Sequence, residues 1–148
     1  MQFPDFRMEG RVALVTGTGR GIGLGIAQAL AAAGCAVAIQ DIELDVAQEA
    51  AQGINESGGR AIALGGDVTD LSLPGRSVAQ TVAQLGSLHV LINNASIQKE
   101  MSWLDISIDE IERELRADFT SPLLFCREAL PHMKEQGFGR ILNIGSIQ

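Results

Sequence analysis

The sequence has no tyrosine and one tryptophan, and aromatic residues make up only 4% of it. No phenol group in these 148 residues can therefore act as a general acid or base. Cysteine is also scarce: Cys35 and Cys126 both lie in apolar surroundings. That placement favours two reduced core thiols over a disulfide or a metal-binding pair, and we expect no metal site.

Basic residues are few, with 11 Lys and Arg against 18 Asp and Glu, which gives a net charge of −7. A negative surface argues against nucleic acid or an anionic membrane as a partner. No apolar run approaches the roughly 18 residues that a bilayer span needs. Residues 1–10 lack the apolar core of a secretory signal. Together these absences predict a cytoplasmic protein with no membrane partner.

What is present is an alternation of strand-like and helix-like segments, which predicts an α/β fold. Apolar strands separated by helices indicate βαβ units and a parallel sheet covered on both faces, in one domain over residues 1–148. We predict a Rossmann-type, doubly wound sheet with strand order 3-2-1-4-5 and right-handed crossovers. The predicted strands are 11–16, 36–40, 60–64, 88–93 and 140–144. The predicted helices are 21–33, 44–56, 73–85 and 108–134, the last with a candidate break near Pro122.

A glycine-rich turn, TGTGRGIG over residues 16–23, joins the first strand to the first helix. Backbone N–H groups and the helix dipole at such a turn bind phosphate, and glycines let the backbone come close. The pattern is T-G-x-x-x-G-x-G, which differs from both the G-x-G-x-x-G fingerprint and the P-loop. The alternative is a turn that only lets the helix pack close to the strand. The candidate nucleotide contacts are Gly17, Thr18, Arg20, Gly21, Ile22 and Gly23.

Asp41 follows the second predicted strand, eighteen positions after Gly23. An acidic residue about 20 residues beyond the glycines can accept hydrogen bonds from the adenosine ribose, and it would repel a 2′-phosphate. It therefore favours NAD over NADP, whereas Arg20 favours the opposite because it could reach a 2′-phosphate. We take Asp41 rather than Arg20 to determine the cofactor, and we therefore predict NAD. The alternative is a solvated aspartate at a helix start.

Four motifs in order and spacing resemble the classical short-chain dehydrogenases/reductases, over residues 8–148. They are the turn at residues 16–23, Asp67-Val68, Asn93-Asn94-Ala95-Ser96 and Asn143-Ile144-Gly145-Ser146. The resemblance implies an NAD(P)-dependent, oligomeric oxidoreductase (a dimer or tetramer) that transfers hydride between nicotinamide and a small-molecule alcohol or ketone. It also places Asp67 at the adenine amino group, Val68 beside the adenine ring and Asn94 along the cofactor ribose.

On the catalytic side, the resemblance implies that Ser146 hydrogen-bonds the substrate carbonyl. Asp118 stands where the family has an asparagine, and an ionised carboxylate cannot donate a hydrogen bond as an amide does. The resemblance places the family's Tyr about a dozen residues beyond Ser146 and its Lys one helical turn later, both past Gln148, and Lys99 and Lys134 lie in other segments. His89 is expected to be a packed structural residue rather than a base.

Taken as they stand, the 148 residues predict a dinucleotide-binding domain that is incomplete at its C-terminus and has no dehydrogenase activity. Three interpretations stay open: part of a longer oxidoreductase, a short chain that at most binds NAD, or a subunit-association protein. The fifth strand would be an uncovered sheet edge. We therefore expect the chain to aggregate or to dimerise through its apolar surfaces.

Overall fold

A five-stranded sheet forms the centre of the molecule in the computed structural model, which describes residues 6–97 and 104–145. The strands are β1 (Val12–Thr16), β2 (Ala36–Asp41), β3 (Arg60–Gly65), β4 (Val90–Asn93) and β5 (Arg140–Asn143). They pair in parallel in the order β3-β2-β1-β4-β5. In the central strand, Leu14 is in register with Ala38 of β2 and Leu91 of β4. The predicted strand order is confirmed.

Helices connect the strands and cover both faces of the sheet. They are α1 (Gly21–Ala32), α2 (Leu44–Glu56), α3 (Leu73–Leu85), α4 (Ile108–Leu115) and α5 (Ser121–Glu135). Because side chains alternate along a strand, Leu14 and Val15 of β1 point to opposite faces. Leu14 belongs to the cluster with Leu73 and Phe125 of α3 and α5, and Val15 to the cluster with alanines of α1 and α2.

The last long helix differs from its prediction. Residues 108–135 are helical throughout, but the π-helical turn Arg116–Thr120 separates α4 from α5. The irregularity therefore lies just before Pro122 in the first turn of α5, whose ring nitrogen carries no N–H and so cannot donate a hydrogen bond to the preceding turn of this continuous helix. Ser107 and Glu110 form a capping box that fixes the start of α4.

His89 is a packed residue just before β4, as expected. Its Nδ1 accepts the backbone N–H of Val12 at 3.0 Å. Burial, together with the positive charge of Arg11, lowers the pKa of His89 below its ordinary 6.5. The folded chain therefore holds the neutral imidazole.

We expect the free energy of unfolding to fall as the pH drops below 6.5. In that range the unfolded chain binds a proton on His89 that the folded chain resists, and the loss levels off below the lowered pKa. Urea unfolding between about pH 7.5 and about pH 5 measures it. His89→Asn keeps an acceptor without titrating, so it should flatten this part of the slope; an unchanged slope would contradict the assignment.

Both cysteines are free thiols, and burial raises the pKa of Cys35 to about 11. A thiol with that pKa stays protonated and unreactive at neutral pH. Among residues 6–97 and 104–145, no helix is long and apolar enough to cross a membrane. Within the same residues, no group of three or more potential ligands is placed to hold a metal ion.

Candidate active site at the carboxyl edge of the sheet

The glycine-rich turn lies at the carboxyl end of β1 and leads directly into α1. Gly17 and Gly21 have φ of 65° and 61°, a left-handed conformation that side chains other than glycine rarely adopt. Arg20 occupies the N-cap position of α1 but makes no side-chain cap hydrogen bond, and the first turn of this described helix contains no acidic residue. Its first backbone N–H groups are therefore available to an anion.

Gly23 holds the first turn of α1 against the start of the glycine-rich turn. A Cβ atom on Gly23 would lie 2.2 Å from the carbonyl oxygen of Gly17 and 2.5 Å from the Nδ2 atom of Asn94. A Cβ atom on Gly17 would lie 2.7 Å from the Cα atom of Ala95. These glycines therefore permit backbone approaches that no side chain would allow. The backbone of the turn over Gly17, Thr18 and residues 20–23 is called the cradle below.

Asn94 and Thr16 join this turn to the loop after β4. The Nδ2 of Asn94 donates to the carbonyl oxygens of Thr16 at 3.1 Å and Gly17 at 2.9 Å. In return, the Oγ1 of buried Thr16 accepts the backbone N–H groups of Asn94 at 3.1 Å and Ala95 at 3.0 Å. The two loops are thereby held in one fixed arrangement.

Asp41 is the last residue of β2, where its carboxylate spans two backbone segments. Its Oδ2 accepts the N–H of Gly19 at 2.7 Å, and its Oδ1 accepts the N–H of Glu43 at 3.2 Å. Each oxygen retains acceptor capacity, because a carboxylate offers about four lone-pair sites. Arg20 is exposed and pairs with Glu43, with 2.6 Å between Nη2 and Oε1.

Gln40 connects the glycine-rich turn to the turn after β3. Its fully buried side chain donates from Nε2 to the carbonyl oxygen of Gly66 at 2.6 Å. The backbone carbonyl oxygen of Gln40 accepts both the backbone N–H and the hydroxyl of Thr18. The backbone N–H of Gly66 donates to the carbonyl oxygen of Asp41 at 3.0 Å.

Asp67 follows that turn and lies partly exposed at the same edge of the sheet. Its Oδ1 accepts the backbone N–H of Thr69 at 2.8 Å, and its Oδ2 lies 3.6 Å from the Nη2 of Arg113 on α4. Val68 is half-buried against the apolar cluster under α3. Asp67 therefore has a fixed orientation, with an acceptor oxygen near an exposed cation.

Asp118 lies within the π-helical turn and is exposed. Its Oδ1 accepts the backbone N–H of Ile97 at 3.3 Å, so the carboxylate acts as an acceptor toward the loop after β4. A single π turn within a helix is often found at a functional site. Ser146, the other predicted reaction-side residue, lies outside the described residues.

The carboxyl edge of the sheet thus brings together the turn at residues 17–23, Asp41, Asp67, Val68 and Asn94. Of these, Asp41 and Asn94 are hydrogen-bonded directly to the turn. Asp118 contacts the same loop system through Ile97. Sequence reasoning missed Gln40, Arg113 and Glu43. The sequence signal for Gln40 was a polar residue in an otherwise apolar strand. No sequence signal pointed to Arg113 or Glu43, because their partners lie on other parts of the fold.

The hydrogen-bond donors, the acceptors and the apolar surface at this edge fit a dinucleotide. Uncapped backbone N–H groups and an open glycine cradle suit a pyrophosphate, and carboxylate acceptors suit ribose hydroxyls and an adenine amino group. The apolar surface contributed by Val68 suits the face of an adenine ring.

The family model for short chain dehydrogenases matches residues 11–148. The chain therefore belongs to the short-chain dehydrogenase family, which consists of NAD(P)-dependent oxidoreductases, and the resemblance drawn from the four motifs is confirmed. An uncharacterised oxidoreductase of Bacillus subtilis is 36% identical over 140 residues, which cover 95% of this chain and 54% of that protein. Cis-4-hydroxycyclohexanecarboxylate dehydrogenase of Sinomonas cyclohexanicum is 36% identical over 138 residues, covering 93% and 55%.

Solved structures give the same family. A 7α-hydroxysteroid dehydrogenase in complex with NADH and 7-oxo glycochenodeoxycholic acid superposes with a TM-score of 0.93 at 30% identity, covering 99% of this chain and 58% of that one. A 3-oxoacyl (acyl-carrier-protein) reductase of Agrobacterium tumefaciens with NADP bound gives 0.90 at 32% identity, covering 96% and 55%. The chain spans about half the length of the curated relatives it matches.

Proposed function

We propose that this chain is the cofactor-binding part of an NAD-dependent oxidoreductase that interconverts a small-molecule alcohol and a ketone. The observation that supports the choice of NAD is the Asp41 carboxylate, held at the end of β2 by the N–H of Gly19. The cofactor would supply hydride transfer, and the protein would bind and orient it.

Each cofactor-contacting residue has a proposed role. The backbone of the cradle, with Thr18 fixing its conformation and Ile22 exposed at the start of α1, would bind the pyrophosphate. Asp67 would accept the adenine amino group, Val68 would line the ring, and Asn94 would lie along the nicotinamide-side ribose while it holds the cradle together. The cradle residues are Gly17, Thr18, Arg20, Gly21, Ile22 and Gly23.

The preference for NAD over NADP rests on charge. A 2′-phosphate placed near Asp41 would meet a carboxylate that is already anchored and cannot move away without breaking its bonds to Gly19 and Glu43. A ribose diol would instead donate to that carboxylate. Arg20, the residue that would favour NADP, is paired with Glu43.

Asp41→Ala is expected to weaken NADH binding about 10- to 100-fold, the worth of a hydrogen bond to a charged acceptor. The affinity for NADPH should weaken less or improve, so the ratio of NADH affinity to NADPH affinity should become smaller. Titration calorimetry with both cofactors measures this. Asp45→Ala, which removes an exposed carboxylate in the first turn of α2, is the matched control and should leave both affinities near wild type. Tighter binding of NADPH than NADH by the wild-type chain would contradict the proposal.

Ser146 and Asp118 are the proposed reaction-side residues, with Ser146 donating to the substrate carbonyl. Because Asp118 accepts the Ile97 N–H, we propose that it shapes the loop after β4 rather than donating to a water. The alternative is a catalytically inactive NAD-binding or subunit-association protein. NADH turnover with a panel of alcohols and ketones, measured on the protein purified from its source with its intact mass determined, distinguishes the two: turnover supports the oxidoreductase, and NADH binding without turnover supports the alternative.

A homo-oligomer is the proposed assembly. Large apolar side chains lie exposed along α4, the π-helical turn and α5 at spacings of seven and four, which places them along one side of the helix. They are Ile108, Leu115, Phe119, Leu123 and Leu130. An apolar stripe of this length is suited to burial against another subunit. The cytoplasmic location stays a prediction from the sequence.

A further inference from the structure

A set of contacts links Asp41, Glu43 and Arg20 at the carboxyl end of β2, where the proposed function places the 2′-position of the cofactor ribose. Asp41 accepts the N–H groups of Gly19 and Glu43 at 2.7 and 3.2 Å, and the carboxylate of Glu43 holds the guanidinium of Arg20 at 2.6 Å. A Cβ atom on Gly19 would lie 2.9 Å from the Oδ2 of Asp41, so the turn preceding Arg20 is packed directly against this cluster. Glu43 thus connects the start of α2 to the only basic residue of the glycine-rich turn.

The Arg20–Glu43 pair does little for stability. The two side chains are 74% and 59% exposed, and exposed ion pairs typically contribute little to folding. Its effect on charge is larger, because a guanidinium binds phosphate strongly through paired hydrogen bonds. As long as Glu43 pairs with Arg20, the guanidinium is partly neutralised and its paired N–H group is not available to a phosphate.

We propose that Glu43 is a specificity-determining residue: it sequesters Arg20 and thereby disfavours cofactors that carry a 2′-phosphate. This inference rests on the proposed NAD-binding function and extends it. Asp41 acts on the 2′-position directly, whereas Glu43 acts by withholding the one cation of the turn that could compensate. The two carboxylates therefore have separable effects on NADPH binding.

The test is calorimetric titration of the purified chain and of Glu43→Gln with NADH and with NADPH. We expect Glu43→Gln to bind NADPH about tenfold more tightly, because one charge-assisted hydrogen bond becomes available to the phosphate. Its NADH affinity should change less than about twofold, because an exposed pair contributes little. Adenosine 2′-monophosphate and adenosine 5′-monophosphate serve as smaller probes, and only the first should gain affinity.

Two further variants identify the cause. Arg20→Gln combined with Glu43→Gln should lose the gain, since the released cation is then absent. Glu112→Gln removes an equal charge and breaks a comparable exposed pair between α4 and Arg116 of the π-helical turn, so it should leave NADPH affinity unchanged. A Glu43→Gln chain that binds NADPH no more tightly, or a gain that persists without Arg20, would overturn the inference. Failure of the wild-type chain to bind NADH would overturn the proposed function itself.

Discussion

Replacing Gly23 by alanine is expected to weaken NADH binding about 10- to 100-fold and to destabilise the chain by about 1–3 kcal/mol. The added Cβ would lie 2.2 Å from the Gly17 carbonyl oxygen, a backbone atom that cannot rotate away. The helix must therefore move off the turn, and its first N–H groups then no longer converge on one point. Calorimetric titration with NADH and thermal unfolding measure the two effects.

Gly25 provides the matched control. It lies in the same helix, but a Cβ atom there would meet nothing within 4 Å. Gly25→Ala should leave NADH affinity unchanged and stabilise the chain by up to about 1 kcal/mol, because alanine favours the helix more than glycine does. If Gly23→Ala and Gly25→Ala behaved alike, the close approach at Gly23 would have no functional importance.

Thr16→Val is expected to destabilise the chain by about 2–4 kcal/mol with little change in side-chain volume. The hydroxyl accepts the backbone N–H groups of Asn94 and Ala95, and valine would leave both donors without their partner. Since Asn94 also holds the glycine-rich turn, NADH binding should weaken together with stability. Urea unfolding monitored by circular dichroism, with calorimetry for the cofactor, measures both changes.

Thr81→Val is the control for Thr16→Val, because Thr81 is equally buried. Its hydroxyl donates to the carbonyl oxygen of Ser77, four residues earlier in α3. In an α-helix that carbonyl also accepts the backbone N–H of residue 81, so it keeps a partner when the hydroxyl is removed. Losing this bond should cost less than about 1 kcal/mol. A similar cost for both variants would mean that the link between the two loops does not depend on the Thr16 hydroxyl.

The strands and helices could be predicted closely from the sequence because each depends on neighbouring residues. Short apolar runs rich in β-branched residues, such as residues 12–15, are typical of buried strands, and the alanines of α1 and α2 recur at helical spacing on the face toward the sheet. The observed bounds differ from the predicted ones mostly by one or two residues at the ends. There, hydrogen bonding rather than residue type decides the boundary.

The form of the break in the last long helix was beyond sequence reasoning. Pro122 is a visible local signal, and it predicted a break near its own position. The irregularity falls just before that proline, at Arg116–Thr120, as a π-helical turn from which Asp118 reaches the loop after β4. Only the packing of that loop against the helix reveals it.

The sequence by itself determined the α/β class, the glycine-rich turn and the position of Asp41 at the carboxyl edge, since these follow from periodicity and the rules of parallel sheets. The strand order could be predicted because the four motifs resemble a family, since those rules alone allow more than one order. Only the tertiary structure decided that Glu43 holds Arg20, that Arg113 lies beside Asp67, and that Gln40 and Thr16 join the turns of the site. These contacts connect residues on different elements. No local pattern encodes them, because they depend on how the elements pack together.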